Sequence, residues 1–246
     1  MIDLRSDTVT LPSKEMKEAI INAELGDDVF SEDPTINDLE YMAAELIGMD
    51  SALLVPSGTI ANLVAILTHC KRGDEVILGD KAHTFLYEAG GISAFGGIHS
   101  RQIVNQSDGT LMQADIKSAI RYSDDHFPPT RLICLENTHN LCNGSPLKKE
   151  YISSVVQIAK KNNLKVHIDG ARIFNACAAL DISPADLNEG ANSVSFCLSK
   201  GLSAPVGSLI CGSEKFIKKA RRIRKALGGG MRQGGIVAAA GIYALD

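Results

Sequence analysis

The chain has 246 residues, 45% of them hydrophobic and 22% charged, with a formal net charge of −4. That length suits one large domain or two small ones, and the balance is that of an ordinary globular protein. The acidic excess argues against nucleic acid as a main partner, no run is apolar enough to span a bilayer, and the opening residues do not read as a secretory leader.

Residues 1–12 alternate charged and small polar groups around Asp3, Arg5, Ser6, Asp7 and Thr8 and are expected to form an extended N-terminal arm. Pro12-Ser13 opens a helix with apolar positions at Met16, Ala19, Ile20 and Ala23. A loop follows through Asp33-Pro34. Thr35 is the expected cap of a second helix with the stripe Leu39, Met42, Ala43 and Leu46, closed by Gly48. From Ala52 strands and helices alternate. Strands are expected at 52–55, 76–78, 102–104, 132–135, 164–168, 194–198 and 208–211. A helix with Ile60, Leu63, Val64 and Leu67 on one face follows the first, and another runs from Lys149 to Lys161. This pattern predicts an α/β fold, a mostly parallel central sheet with helices on both faces. Phe216 to Leu227 reads as a helix whose six basic residues mostly form a solvated face. Gly228-Gly229-Gly230 breaks it before an apolar helix over 235–245. Six cysteines at 70, 134, 142, 177, 197 and 211 show no Cys-x-x-Cys pair. Reduced thiols in a cytoplasmic protein are expected, with no metal site.

Chemistry concentrates where strands end. Lys200 follows the apolar run Val194 to Leu198, and Asp169 closes the run Leu164 to Ile168. Open α/β sheets keep their ligands at the carboxyl ends of strands. A lysine there and an acid there suit pyridoxal phosphate. The lysine forms a Schiff base with the cofactor aldehyde, and the acid keeps the pyridine nitrogen protonated. Pro56-Ser57-Gly58-Thr59 joins a strand to a helix. Glycine there admits a close approach to a helix N-terminus, which favours phosphate. His83 follows the strand at 76–78 and is a candidate ring to stack on a pyridine or move a proton. His126 and His139 are further loop candidates; His69 and His167 read as structural.

These stretches together resemble one family. Its motifs are Leu4-Arg5-Ser6-Asp7-Thr8-Val9-Thr10, Gly26-Asp27-Asp28-Val29, Glu32-Asp33-Pro34-Thr35, Pro56-Ser57-Gly58-Thr59, Glu136-Asn137-Thr138-His139-Asn140, His167-Ile168-Asp169-Gly170-Ala171-Arg172, Leu198-Ser199-Lys200-Gly201-Leu202 and Gly228-Gly229-Gly230-Met231-Arg232-Gln233. They are similar along the whole chain to the low-specificity L-threonine aldolases, within the aspartate-aminotransferase fold group of pyridoxal phosphate enzymes.

The resemblance implies cleavage of L-threonine or L-allo-threonine to glycine and acetaldehyde. It implies that Lys200 is the Schiff-base lysine, Asp169 the pyridine-nitrogen partner and His83 the stacking ring. Gly58 and Thr59 would hold the phosphate, Ser6 and Arg172 the substrate carboxylate, and His126 would sit near the substrate hydroxyl. Arg232, with Lys225 as a second candidate, would reach the site of a neighbouring subunit in a homodimer or homotetramer. The base for the hydroxyl stays open between His83, His126 and an ordered water. Residues 13–246 would form the cofactor-binding large domain. The family pattern adds a small C-terminal domain of roughly a hundred residues, which these 246 residues do not include. The alternatives are another pyridoxal phosphate lyase acting on 3-hydroxy or β-substituted amino acids, or a truncated, inactive cofactor-binding chain.

Overall fold

The computed structural model describes residues 2–246; Met1, the first residue of the expected arm, lies outside them. The arm is not extended throughout. Asp7–Val9 makes a 3₁₀ turn, closed because the Ser6 hydroxyl accepts the Thr8 N–H. Helix α1 (Lys14–Ile21) starts where Ser13 Oγ accepts the Met16 N–H at 3.1 Å. Helix α2 (Pro34–Ile47) is capped by Asp33 and not by Thr35. Asp33 Oδ1 accepts the Ile36 N–H at 3.0 Å, and Pro34 fills the first helical position, where its missing N–H costs nothing. Thr35 instead donates its hydroxyl to the Glu24 carbonyl at 2.6 Å. Gly48 closes α2 in the left-handed conformation, φ 73°.

The alternation then runs β1 (Ser51–Val55), α3 (Gly58–His69), β2 (Glu75–Gly79), α4 (His83–Leu86), α5 (Gly91–Gly96), β3 (His99–Ile103), α6 (Gln113–Ala119) and β4 (Thr130–Glu136). It continues α7 (Lys149–Lys161), β5 (Lys165–Asp169), α8 (Ile173–Leu180), α9 (Pro184–Leu187), β6 (Ser193–Cys197), β7 (Ser208–Gly212), α10 (Glu214–Ala226) and α11 (Gly235–Leu245). Strand β3 begins three residues before its expected start. Its exposed His99 and half-buried Ser100 and Arg101 carry no apolar signal, as suits an edge strand with β2 as its partner.

The chain divides into two compact units, one of residues up to Ala61 with Ser195–Asp246, the other Asn62–Val194. In the second unit the strands run in the order β5-β4-β2-β3, each pair parallel, with Glu136 of β4 in register with Asp169 of β5. Ile66, Val76, Leu78, Ile98 and Leu132 pack into its core. Helix α7 lies on β5, burying Ile152, Val155 and Val156. In the first unit β1 pairs antiparallel with β7, from Ser51↔Gly212 to Val55↔Ser208. Helix α2 covers β1, and α11 lies against α1 and α2. Small residues permit that approach: a Cβ on Gly241 would meet Leu39 Cδ2 at 2.8 Å. The sheet strands are mostly parallel and flanked by helices, as the sequence pattern predicts.

The basic face of α10 is less solvated than expected. Arg224 is buried, pairs with the buried Asp28 and donates to the Leu54 carbonyl at 2.7 Å. Arg221 reaches Asp28 at 3.2 Å and Glu40 at 2.6 Å. Two buried acids facing α10 need these cations, since an unpaired buried charge costs several kcal/mol, about 3–5. Among the described residues no helix is long and apolar enough to cross a membrane, and all six cysteines are buried.

Candidate active site

In the second unit three parallel strands deliver polar groups to one carboxyl edge. Strand β5 ends in Asp169, β4 ends in Glu136, and the turn after β2 leads to His83. Asp169 is buried, and one of its oxygens accepts the Ala171 N–H at 3.2 Å. Its other oxygen accepts from Asn62 Nδ2 at 2.8 Å. Asn62 Nδ2 also donates to Glu88 Oε1 at 2.8 Å, and His83 Nδ1 lies 2.9 Å from that same oxygen. His83, Glu88 and Asp169 thus form one cluster around the Asn62 amide.

The amide's orientation follows from chemistry. Ionised carboxylates only accept, so the NH₂ faces them and Asn62 Oδ1 faces His167 Nε2, 3.2 Å away. His167 therefore donates from Nε2, and its Nδ1 accepts from Ser193 Oγ at 2.8 Å. Ser193 Oγ in turn lies 2.8 Å from His69 Nε2. His69 and His167 serve the structure, as expected. Burial lowers the His167 pKa to about 4, which keeps the ring neutral.

Burial, with the Asp169 charge beside it, raises the Glu136 pKa to about 7. Glu136 Oε2 nonetheless accepts the backbone N–H of His83 at 2.7 Å, and Oε1 accepts that of Asn140 at 2.9 Å. Burial likewise raises Glu88, against the opposing hydrogen bond from His83. His139 is buried with its Nε2 3.9 Å from Glu136, and burial lowers its pKa.

In the first unit Lys200 sits in the tight loop between β6 and β7. The Lys200 carbonyl accepts the Ser203 N–H at 2.9 Å, closing a turn, and the Thr10 hydroxyl at 2.7 Å, which ties the arm to the lysine loop. The Gly58 turn shows why glycine stands there. A Cβ would lie 2.8 Å from Cys197 Sγ, and the buried Ser208 hydroxyl, with no hydrogen-bond partner among the described residues, is 3.8 Å from that point. A side chain would close this cradle. With Thr59 in the first turn of α3, the donor chemistry fits a phosphate group.

The remaining candidates lie in both units. Ser6 is exposed and occupied in capping its own turn. Arg172 is half-buried at the start of α8, three residues beyond Asp169. Arg232 donates to Asp27 at 2.9 Å, while its carbonyl accepts the Asp28 N–H at 3.0 Å; Lys225 is exposed. His126 lies on the segment before β4, 89% exposed, its Nδ1 2.7 Å from Asp124. That is the amino end of the strand whose carboxyl end holds Glu136, so the second unit does not bring His126 to His83 and Asp169. Asn62, Glu88 and Glu136 had no role read from the sequence. Asn62 carried a signal, one amide inside the apolar stretch Ile60 to Leu67 of its helix. Glu136 lay inside a quoted motif without a role, and nothing local marks Glu88.

The second unit is a parallel α/β sheet with an acid at the end of β5 and a histidine after β2, and the first unit carries a lysine after β6. Comparison with known proteins gives the family. The family model described as beta-eliminating lyase matches residues 3–246, and the chain belongs to that family. It is 52% identical over 248 residues to low-specificity L-threonine aldolase 1 of Arabidopsis thaliana, covering 100% of this chain and 69% of that one. It is 51% identical over 245 residues to the low specificity L-threonine aldolase of Escherichia coli strain K12, covering 100% of this chain and 73% of that one. A solved structure of the Leishmania major threonine aldolase superposes with a TM-score of 0.85 at 20% identity, covering 98% of this chain and 71% of that one.

Proposed function

We propose that this chain is a pyridoxal phosphate-dependent carbon–carbon lyase that cleaves L-threonine and L-allo-threonine to glycine and acetaldehyde. The observation that carries this reading is identity above one half, along the whole chain, to aldolases of two distant organisms. When bound, the cofactor supplies a protonated pyridine ring that takes up the electron pair released as the Cα–Cβ bond breaks.

The roles of this chain's residues follow. Lys200 would supply the amine that holds the cofactor aldehyde. The cradle at Gly58 and Thr59 takes the phosphate. Asp169, its carboxylate fixed by Asn62 and Ala171, accepts the pyridine N–H and keeps that nitrogen protonated. Arg172 and Ser6 would hold and orient the substrate carboxylate. His83 stacks on the ring and takes the proton of the β-hydroxyl, directly or through one water. His83 is preferred over His126 for this step because His126 is exposed at the other end of β4. The protein acts as a homo-oligomer, in which Arg232 leaves Asp27 for the site of a neighbouring subunit.

The test is detection of both products. Purified protein supplied with pyridoxal phosphate should release glycine and acetaldehyde in equal amounts from L-threonine and L-allo-threonine. Pyruvate and ammonia from serine, without cleavage of threonine or phenylserine, would point to the β-eliminating alternative.

A further inference from the structure

His83 is held at two points by two buried acids. Glu136 Oε2 accepts its backbone N–H, fixing where the residue starts α4. Five residues on stands Glu88, followed by Ala89 and Gly90, both left-handed at φ 53° and 66°. Alanine rarely adopts that conformation, at a cost on the order of 1 kcal/mol, so the surroundings must demand it. The turn returns Glu88 to the ring it serves. The Glu88 side chain is 3% exposed, and its Oε1 receives both Asn62 Nδ2 and His83 Nδ1.

We propose that Glu88 is a positioning residue that fixes the His83 tautomer, holding the proton on Nδ1 and leaving Nε2 as the acceptor nitrogen. As a carboxylate, Glu88 Oε1 can only accept, from the Asn62 amide and from the His83 ring alike. The His83 nitrogen facing it must then be the donor. A neutral imidazole has one donor and one acceptor, so Nε2 carries the lone pair. A free imidazole favours the opposite tautomer only slightly, and one hydrogen bond to a buried carboxylate is enough to reverse it. Asn62 makes the arrangement one unit. The amide that holds Glu88 against His83 also holds Asp169, so the ring and the acid that the cofactor would meet share one anchor. The groups facing His83 include Glu88 on its ring, Asp169 within 4.8 Å in the same cluster, Glu136 on its backbone and Tyr87, whose ring centroid is 5.6 Å away. In the ionised form Glu136 and Glu88 only accept, Glu136 from the His83 backbone N–H and Glu88 from the Asn62 amide and the His83 ring. The value of this tautomer for catalysis rests on the functional reading above; the tautomer itself does not.

The experiment is long-range ¹H–¹⁵N NMR on the histidine-labelled protein, with and without pyridoxal phosphate at neutral pH. His83 is assigned among the six histidines by its loss in His83→Phe. The wild type should show His83 protonated on Nδ1 alone. Glu88→Ala should move the proton to Nε2, and Glu88→Gln, which keeps an acceptor oxygen, should retain it on Nδ1. In the threonine assay Glu88→Ala should lower kcat about tenfold or more with KM within about twofold, and Glu88→Gln should lie between. A wild-type ring protonated on Nε2, or on both nitrogens, would overturn the proposal, as would a folded Glu88→Ala that keeps Nδ1–H. If Glu88→Ala does not fold, the wild type and Glu88→Gln decide. A correct tautomer in a protein that leaves threonine intact upholds the role of Glu88 and overturns the aldolase reading alone.

Discussion

Asn62 Nδ2 donates to Asp169 Oδ2 at 2.8 Å, across 107 residues of sequence. The second hydrogen of the same amide goes to Glu88. One neutral side chain thus separates two buried carboxylates that would otherwise repel each other. Removing it leaves both acids short of a donor, and hydrogen bonds to charged groups carry about 1.5–3 kcal/mol each. Asn62→Ala should therefore lose about 3 kcal/mol of stability in urea unfolding. Asn62→Asp, which adds a third acid, should lose more at pH 8 than at pH 5. Equal losses for Asn62→Asp at both pH values would show that charge is not what Asn62 manages.

A second expectation concerns pH. The His167 pKa falls from its ordinary 6.5 to about 4 in the folded protein, because burial disfavours its charged form. The unfolded chain therefore binds more protons between those values. The stability this residue contributes is present above pH 6.5 and is lost as pH falls toward 4. Glu136 acts oppositely. Raised from 4.5 to about 7, its contribution is present below pH 4.5 and is lost as pH rises through 7. The two partly cancel in the wild type, so the difference from His167→Asn isolates the histidine. The stability gap between the two proteins should shrink by about 2 kcal/mol from pH 7 to pH 5. A gap independent of pH would mean that His167 does not stay neutral.

Much of this was legible in the sequence, and the exceptions have physical causes. The strand ends at Asp169 and Lys200 stood out because apolar runs halt there at a charge. The α2 cap was misread because Thr35 and Asp33 are both capping types. Pro34, which suits the first helical position, decides for Asp33. The β3 start was hidden by polar residues on an edge strand. Glu88 and Glu136 escaped because their roles arise from tertiary pairing, with β4 and β5 in register and a left-handed turn returning Glu88. Periodicity reports which face is buried; it does not report which acid shares a proton with which ring.

The role of Arg232 has a test of its own. In this chain it is tied to Asp27, and the arm exposes Ile2, Leu4 and Leu11. If neighbouring subunits share sites, Lys200→Ala and Arg232→Ala chains, each inactive alone, should regain part of the activity when mixed after partial unfolding. Up to one site in each hybrid dimer is then intact. A protein that runs as a monomer by light scattering and still cleaves threonine would remove this role.

The account depends most on Lys200, the one lysine in the turn that follows β6. The direct measurement is to add pyridoxal phosphate, reduce with borohydride, digest and locate the pyridoxyl group by mass spectrometry. We expect a visible absorption band that borohydride abolishes, one pyridoxyl group per chain on Lys200, and neither band nor adduct in Lys200→Ala. A stoichiometric adduct on another lysine, or a band that survives in Lys200→Ala, would contradict the assignment of this site.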